Sequence, residues 1–471
     1  MTELVTRTTI PTTIPTATAP TRVVAALREA LPGRVVGPDD PVWELARRGW
    51  VLNVDQRPAA VVTTDTADEV ATAVRTATAH GYPVTAQPVG HGATEALSGS
   101  VVLRTRGLDD ITIDTAARTV RVGAGVKWGE LLTALEPTGF AAPAGSNPDP
   151  SVVGYTLGGG LSWFGRAWGL AAHAVTAFDV VDHDGTFMRV DATTDPERFW
   201  AMKGGGGDFG IVTALEMRLF PAPQVYGGRL MWPLEMARPV LQAFREVTAK
   251  APEELTLWAH LFRFPPDPAM PEAIRGRSFV SVDVAFLGTE TEANRHLTRL
   301  RQLPAIALDT LGPVPLGRLG EIANEPTDPM PGQEWSGMIG RLDAGTVDRL
   351  VNAVGAGADV PLAVVQIRHL GGALARGTVE DGPNGPIREP YQVFALGIPV
   401  SPEASTAIDA AIGDLRAALA PELTGRTFFN FLGQEHDPAA AYPAEALDRL
   451  RRVKEDVDPA GAFRSHRPVL A

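Results

Sequence analysis

Val153-Gly154-Tyr155-Thr156-Leu157-Gly158-Gly159-Gly160-Leu161 decides the reading of this chain, together with Gly90-His91-Gly92 upstream of it. Three consecutive glycines carry no side chains, so their backbone can lie flat against a large, flat or anionic object. A histidine flanked by two glycines on an exposed turn has room to bond to that same object. The pair reads as a cofactor cradle with a covalent tether.

The chain has 471 residues, too many for one ordinary core, so two domains are expected. Composition is globular: 44% hydrophobic and 21% charged, with 48 Gly and 40 Pro enriching loops. A net charge of −13 opposes a nucleic-acid or membrane role, since phosphates need a basic footprint. With 0 Cys, disulfides, thiolate metal sites and cysteine nucleophiles are excluded. Residues 1–20 are rich in Thr, Pro and Ala and hold no apolar run long enough for a signal peptide or membrane span. We read 1–22 as a disordered or extended lead-in and the cytoplasm as the expected compartment.

Further along, strand and helix patterns alternate. Strands are expected at 60–64, 83–87 and 101–105, with a helix over 68–80 capped by Asp65 or Thr66 and stopped by Gly81. Residues 111–114 and 119–122 form a hairpin, 127–135 a short helix, and 143–150 a loop. A second hairpin turns at Asp182-His183-Asp184-Gly185, a helical turn follows at 196–202, and 211–219 alternates as a strand. Pro221 and Pro223 suggest a boundary. Beyond it, strands at 255–262, 278–286, 363–370 and 391–398 alternate with helices at 291–302 and 404–418. An antiparallel sheet covered on one face by helices fits that spacing, which makes the fold class α+β. A basic helix at 444–455 precedes the end of the chain, and no repeat of fixed period is present.

Gly205-x-Gly207-x-x-Gly210 matches the dinucleotide fingerprint formally, but it falls between a helix and a strand, the reverse of the required order. His183 between two aspartates has no distant partner and reads as solvated surface; no metal site is expected.

Four blocks carry a family resemblance: Gln87 to Ala93; Gly145-Ser-Asn-Pro through Gly160; Trp200 through Thr213; and Asp458-Pro-Ala-Gly-Ala-Phe463. In order and spacing they resemble the berberine-bridge-enzyme-like branch of the FAD-linked oxidases, with its PCMH-type FAD-binding fold. The resemblance implies an FAD-binding domain at 23–222, a substrate domain at 223–424 and a segment at 425–471 returning to the FAD domain. It implies FAD contacts from Gln87, Pro88, Val89, Gly90, His91, Gly92, Ala93, Gly145, Val153, Gly154, Thr156, Gly158, Gly159, Gly160, Leu161, Gly169, Leu170, Ile211, Val212, Asn430 and Phe431. It also implies one covalent link through His91 to the flavin 8-methyl carbon. The implied activity is hydride transfer from an alcohol, sugar or natural-product intermediate to FAD, with dioxygen as acceptor. The partner is a small molecule, and the protein a monomer or homodimer.

Departures from the family pattern are informative. Asn147 stands where relatives carry a second flavin-linking cysteine, so a cysteinyl link is impossible here. Pro150 replaces the aliphatic residue that governs access of dioxygen, His173 follows Gly169-Leu170 in place of an acid or amide, and Asp208 replaces an Asn. Phe428-Phe429-Asn430-Phe431 replaces a Tyr-x-Asn-Tyr pattern, so Phe431 cannot accept a proton. The missing base and Pro150 both favour an alternative activity, a redox-neutral cyclisation or isomerisation. Candidate catalytic residues are then His369, Arg368 and Tyr391, with Tyr155 beside the glycine run. Strand alternation puts Gln366 with Arg368 on one face and Ile367 with His369 on the other, so only one pair can face the cofactor. The first pair suits a carboxylate or enolate; the second supplies a base of near-neutral pKa.

Overall fold

The computed structural model describes residues 20–222, 224–433 and 437–470. Most of the expected lead-in, and Pro223 at the expected boundary, lie outside these residues. A helix already begins at Pro20 and runs to Ala30, so the last residues assigned to the lead-in are helical.

Two sheets build the first part of the chain. Strands β1 (Val35–Val36), β2 (Ala60–Thr63), β3 (Val84–Ala86) and β4 (Val101–Arg104) order as β1-β2-β4-β3, with β4 parallel to both β2 and β3. The β2–β3 crossover is the helix Ala67–Ala79, whose apolar stripe (Val70, Ala73, Val74, Ala77) is buried on the sheet. Of the two candidate caps, Thr66 does the work, its side chain accepting from the Glu69 N–H. Antiparallel strands β5 (Ile111–Asp114), β6 (Thr119–Gly123), β8 (Val175–Val181), β9 (Phe187–Asp191) and β10 (Ile211–Arg218) form a second sheet, ordered β5-β6-β10-β8-β9. Both expected hairpins are present in it. β7 (Phe140–Ala141) and β11 (Phe220–Pro221) form a separate antiparallel pair.

The third sheet is antiparallel. It contains β12 (Tyr226–Pro233), β13 (Leu255–Arg263), β14 (Ser278–Phe286), β15 (Leu308–Asp309), β16 (Gly312–Pro313), β17 (Gln333–Ile339), β18 (Val364–His369) and β19 (Tyr391–Gly397). The central order is β12-β14-β13-β18-β19-β17. Helices Ala237–Thr248, Glu290–Arg301, Ala344–Val354 and Pro402–Leu419 bury their apolar stripes on one face, against residues such as Leu257, Val282, Ile367 and Val393. The opposite face carries Arg229, Asp283, Trp258, His260, Gln366, Arg368 and Gln392, aligned by register. It turns toward the first part of the molecule, where Trp258 stacks on Trp163 at 3.7 Å between ring centroids.

From Phe428 onward the chain packs on the first two sheets. Phe429, Leu450 and Val453 enter the core of the second, and Phe463 the core of the first, bridging to Val84. Asp208 anchors this return: its buried carboxylate accepts the backbone N–H groups of Ser465 and Val469 at 2.7 and 2.8 Å. Lys454 Nζ donates to the Asp208 carbonyl and to the Asp458 carboxylate.

Candidate active site

The glycine run leaves the helix Val152–Leu157, which Ser151 caps by accepting from the Gly154 N–H at 3.1 Å. Gly159 and Gly160 follow at φ +100° and +76°, a region that favours glycine. A Cβ on Gly160 would also meet the Tyr155 ring at 2.5 Å. Asn430 staples this turn from the far end of the chain: its Oδ1 accepts the Gly160 N–H at 2.8 Å and its Nδ2 donates to the Tyr155 carbonyl at 3.1 Å.

Below the turn lies a hollow between the two halves of the first part. It is lined by Pro88, Val153, Gly154, Gly158, Ile211 and Val212, all expected from the sequence, and by Thr85, Ala86, Gly206, Gly207, Gly210, Phe429, Ser465 and His466, which were not. Among the described residues the buried Thr156 hydroxyl has no partner. A hollow lined by glycine backbone fits a long, partly anionic cofactor such as a flavin dinucleotide.

His91 stands at the rim. Gly90 before it has φ +100° and a hypothetical Cβ only 2.8 Å from the Gly49 Cα, so the chain can pass there only as glycine. The imidazole stacks on Trp50 at 4.4 Å, and its Nε2 bonds to Asp149 Oδ2 at 2.8 Å. Other expected contacts serve the scaffold. Gln87 Oε1 accepts from Gln56 and Arg104, Gly145 lies against the Tyr155 ring, and Leu170 is buried beside Leu161. Val89 is half-buried and Ala93 buried; Gly92 lies against the His466 ring, and Gly169 (φ +84°) against His173.

The three catalytic candidates separate. Arg368 is buried on the polar face and lies between two rings, 4.1 Å from that of Trp258 and 4.6 Å from that of Phe431. Its Nε and Nη2 both donate to Gln366 Oε1, at 2.9 and 2.7 Å. Among the described residues it makes no ion pair within 4.0 Å. Burial pulls its guanidinium down to about 10, against the opposing charges of Glu325, Tyr155, Asp283 and Glu334. Tyr155, next to the glycines, has a buried hydroxyl without a partner among the described residues; burial pushes its phenol up while Arg368 pulls it down.

His369 and Tyr391 do not face this site, which corrects the expectation that either could act there. The His369 ring meets Arg166 Nη1 at 2.9 Å, and Tyr391 shares a 2.6 Å hydrogen bond with Thr248 on a covering helix. The cause is strand alternation: residue 369 follows Ile367 and Val365 onto the helix-covered side. Burial, helped by Arg166, holds the His369 imidazole well below its ordinary value, so it stays neutral and accepts from Arg166.

Two residues on the polar side went unread in the sequence. Glu334 is exposed, yet the protein packed around it pushes its carboxyl up to about 7, against Arg467 and Arg368. Gln392 is fully buried beside Arg368 in register, and among the described residues both its amide atoms are unpartnered. The polar positions Ser281, Asp283, Gln366, Arg368 and Gln392, repeating at every second residue, were the signal available for this face.

Fold and hollow together fit a protein that binds FAD. A family described as an FAD binding domain matches residues 58–191. The chain is similar to the (R)-6-hydroxynicotine oxidase of Paenarthrobacter nicotinovorans, 25% identical over 92% of this chain and 96% of that protein. It is 32% identical to the FAD-dependent monooxygenase FUP4 of Fusarium proliferatum, over 42% of this chain and only 39% of that protein's length. The berberine bridge enzyme from Eschscholzia californica shares the fold, with a TM-score of 0.80 at 16% identity, covering 95% of this chain and 98% of that one. The chain therefore carries an FAD-binding domain and has the fold of berberine bridge enzyme.

Proposed function

We propose that the protein is an oxidase acting on an alcohol, sugar or natural-product intermediate that carries a carboxylate or enolate, with FAD tethered at His91 and dioxygen as final acceptor. Arg368 carries this reading. A buried guanidinium without an acidic partner costs several kcal/mol unless an anion completes it. Trp258 and Phe431 hold its plane, and Gln366 takes one edge, leaving Nη1 for a ligand. Bound FAD supplies the hydride acceptor. Glu334 serves as proton acceptor in place of the absent tyrosine, because a carboxyl near 7 is a base of suitable strength at neutral pH. The Ala-, Arg-, Gly- and Pro-rich composition supports a bacterial source and a role in secondary metabolism.

Phe431 favours a second reading, redox-neutral cyclisation or isomerisation, since the segment that meets Arg368 offers no phenol for alcohol deprotonation. Anaerobic mixing with a panel of hydroxy acids and their neutral esters separates the readings. Bleaching of the flavin by acids, with peroxide formed on admitting air, supports the oxidase. Product without bleaching supports the second reading. Equal bleaching by acids and esters removes the anion requirement.

A further inference from the structure

The covalent tether sits beside a charged group that hydride transfer does not use. Asp149 lies between Pro148 and Pro150, in a loop stapled to the helix Trp128–Leu135: the Gly129 and Trp128 N–H groups bond to the carbonyls of Pro148 and Pro150 at 2.9 and 3.0 Å. Its own N–H bonds to Asn147 Oδ1 at 2.8 Å, and Asn147 in turn bonds across to the Pro326 carbonyl. The loop is therefore fixed on both sides.

From this loop the carboxylate reaches two cations or would-be cations. Oδ2 meets His91 Nε2 at 2.8 Å, and Oδ1 takes the Lys127 ammonium. Burial alone pushes the Asp149 carboxyl up, but the bonds from His91 and Lys127 outweigh it and hold the group below its ordinary value. An ionised carboxylate only accepts hydrogen bonds, so Nε2 must carry the proton. Nδ1 is then the imidazole nitrogen with a free lone pair, and among the described residues it takes no hydrogen bond. Trp50, stacked at an interplanar angle of 19°, fixes the plane of the ring. A nucleophile oriented through its second nitrogen by a buried acid is the arrangement that hydrolytic triads use.

We propose that Asp149, held by Lys127, is the positioning residue that makes His91 competent to bond the flavin 8-methyl carbon through Nδ1. This rests on the tether in the reading above. As Nδ1 bonds to the carbon, the methyl group gives up one hydrogen and Nε2 passes its proton to Asp149 and on to solvent. The carbon is oxidised by two electrons. Dioxygen takes those electrons and both hydrogens as hydrogen peroxide, so a C–H and an N–H bond are replaced by a C–N bond.

The test uses full-length protein from flavin-limited cells, incubated with FAD and air. Total bound flavin is read by absorbance, and covalent flavin by intact mass and by fluorescence on a denaturing gel. We expect Asp149→Ala to bind FAD but to attach it roughly ten- to a hundred-fold more slowly, the range for loss of a ligand-orienting partner. Added formate should restore part of that rate, which a merely structural role would not allow. Lys127→Met should show a smaller loss. Should Asp149→Ala fail to fold, Asp149→Asn keeps the shape, removes the charge and should also be slow. Wild-type attachment rates in the Asp149 variants would overturn the positioning role while leaving the tether intact. Wild-type protein that releases all its flavin on denaturation would overturn the tether and this proposal together.

Discussion

The two faces of the third sheet share strands and backbone but are built for opposite ends. One face is closed by four helices over Leu257, Val282, Ile367 and Val393, and its polar members, His369 and Tyr391, bond to Arg166 and Thr248, His369 through Nε2 alone. Among the described residues, the other leaves Arg368 without an acid and Gln392 without partners, with Glu334 exposed. Burial without satisfaction lowers stability. The first face therefore holds the domain together, and the second keeps polar groups ready for a ligand.

Three adjacent residues, Ile367, Arg368 and His369, make that contrast testable. Arg368→Met should lower kcat/KM for an acidic substrate by about a thousand-fold, equivalent to about 4 kcal/mol for truncating one member of a buried charged pair. The same change should leave the melting temperature unchanged or raise it, because it removes an unpaired buried charge. A lowered melting temperature with unchanged kinetics would reverse the assignment of the faces. Ile367→Ala should do the opposite, costing about 2–5 kcal/mol in denaturant unfolding while flavin reduction per folded molecule holds. Loss of the reduction rate at full stability would break the contrast from the other side.

Smaller effects sharpen it. Glu334 is raised to about 7, so the anaerobic reduction rate should climb with pH through about 7 and then level off. Glu334→Gln should lower the rate and flatten the climb; a profile identical to wild type would remove Glu334 as the base. The sign for stability is opposite: a carboxyl whose folded value is raised favours the fold at low pH and loses that contribution as pH passes about 7. Tyr391→Phe should cost about 1 kcal/mol for the Thr248 bond and leave reduction kinetics alone.

Legibility in the sequence followed local chemistry. The hairpins at Asp182 to Gly185 and at 111–122, and the helix after Thr66, rest on turn residues and caps adjacent in the chain, and they appear as expected. Strands β12 and β17 escaped because Gly227 and Gly228 interrupt one, and Ser336 and Gly337 break the apolar run of the other. The alternation at 364–369 separated Arg368 from His369 but did not choose between faces. That choice lay in the company each residue keeps, since Val365 and Ile367 point with His369 toward the helices. The Asp149–His91 contact joins loops far apart in the chain, and only folding brings them together.

The most direct test of the central claim is a titration of the oxidised flavin spectrum with benzoate in wild type, Arg368→Met and His369→Ala. The account predicts a saturable perturbation in wild type and His369→Ala, weakened at least ten-fold in Arg368→Met. Equal affinity in Arg368→Met, or loss confined to His369→Ala, would contradict it.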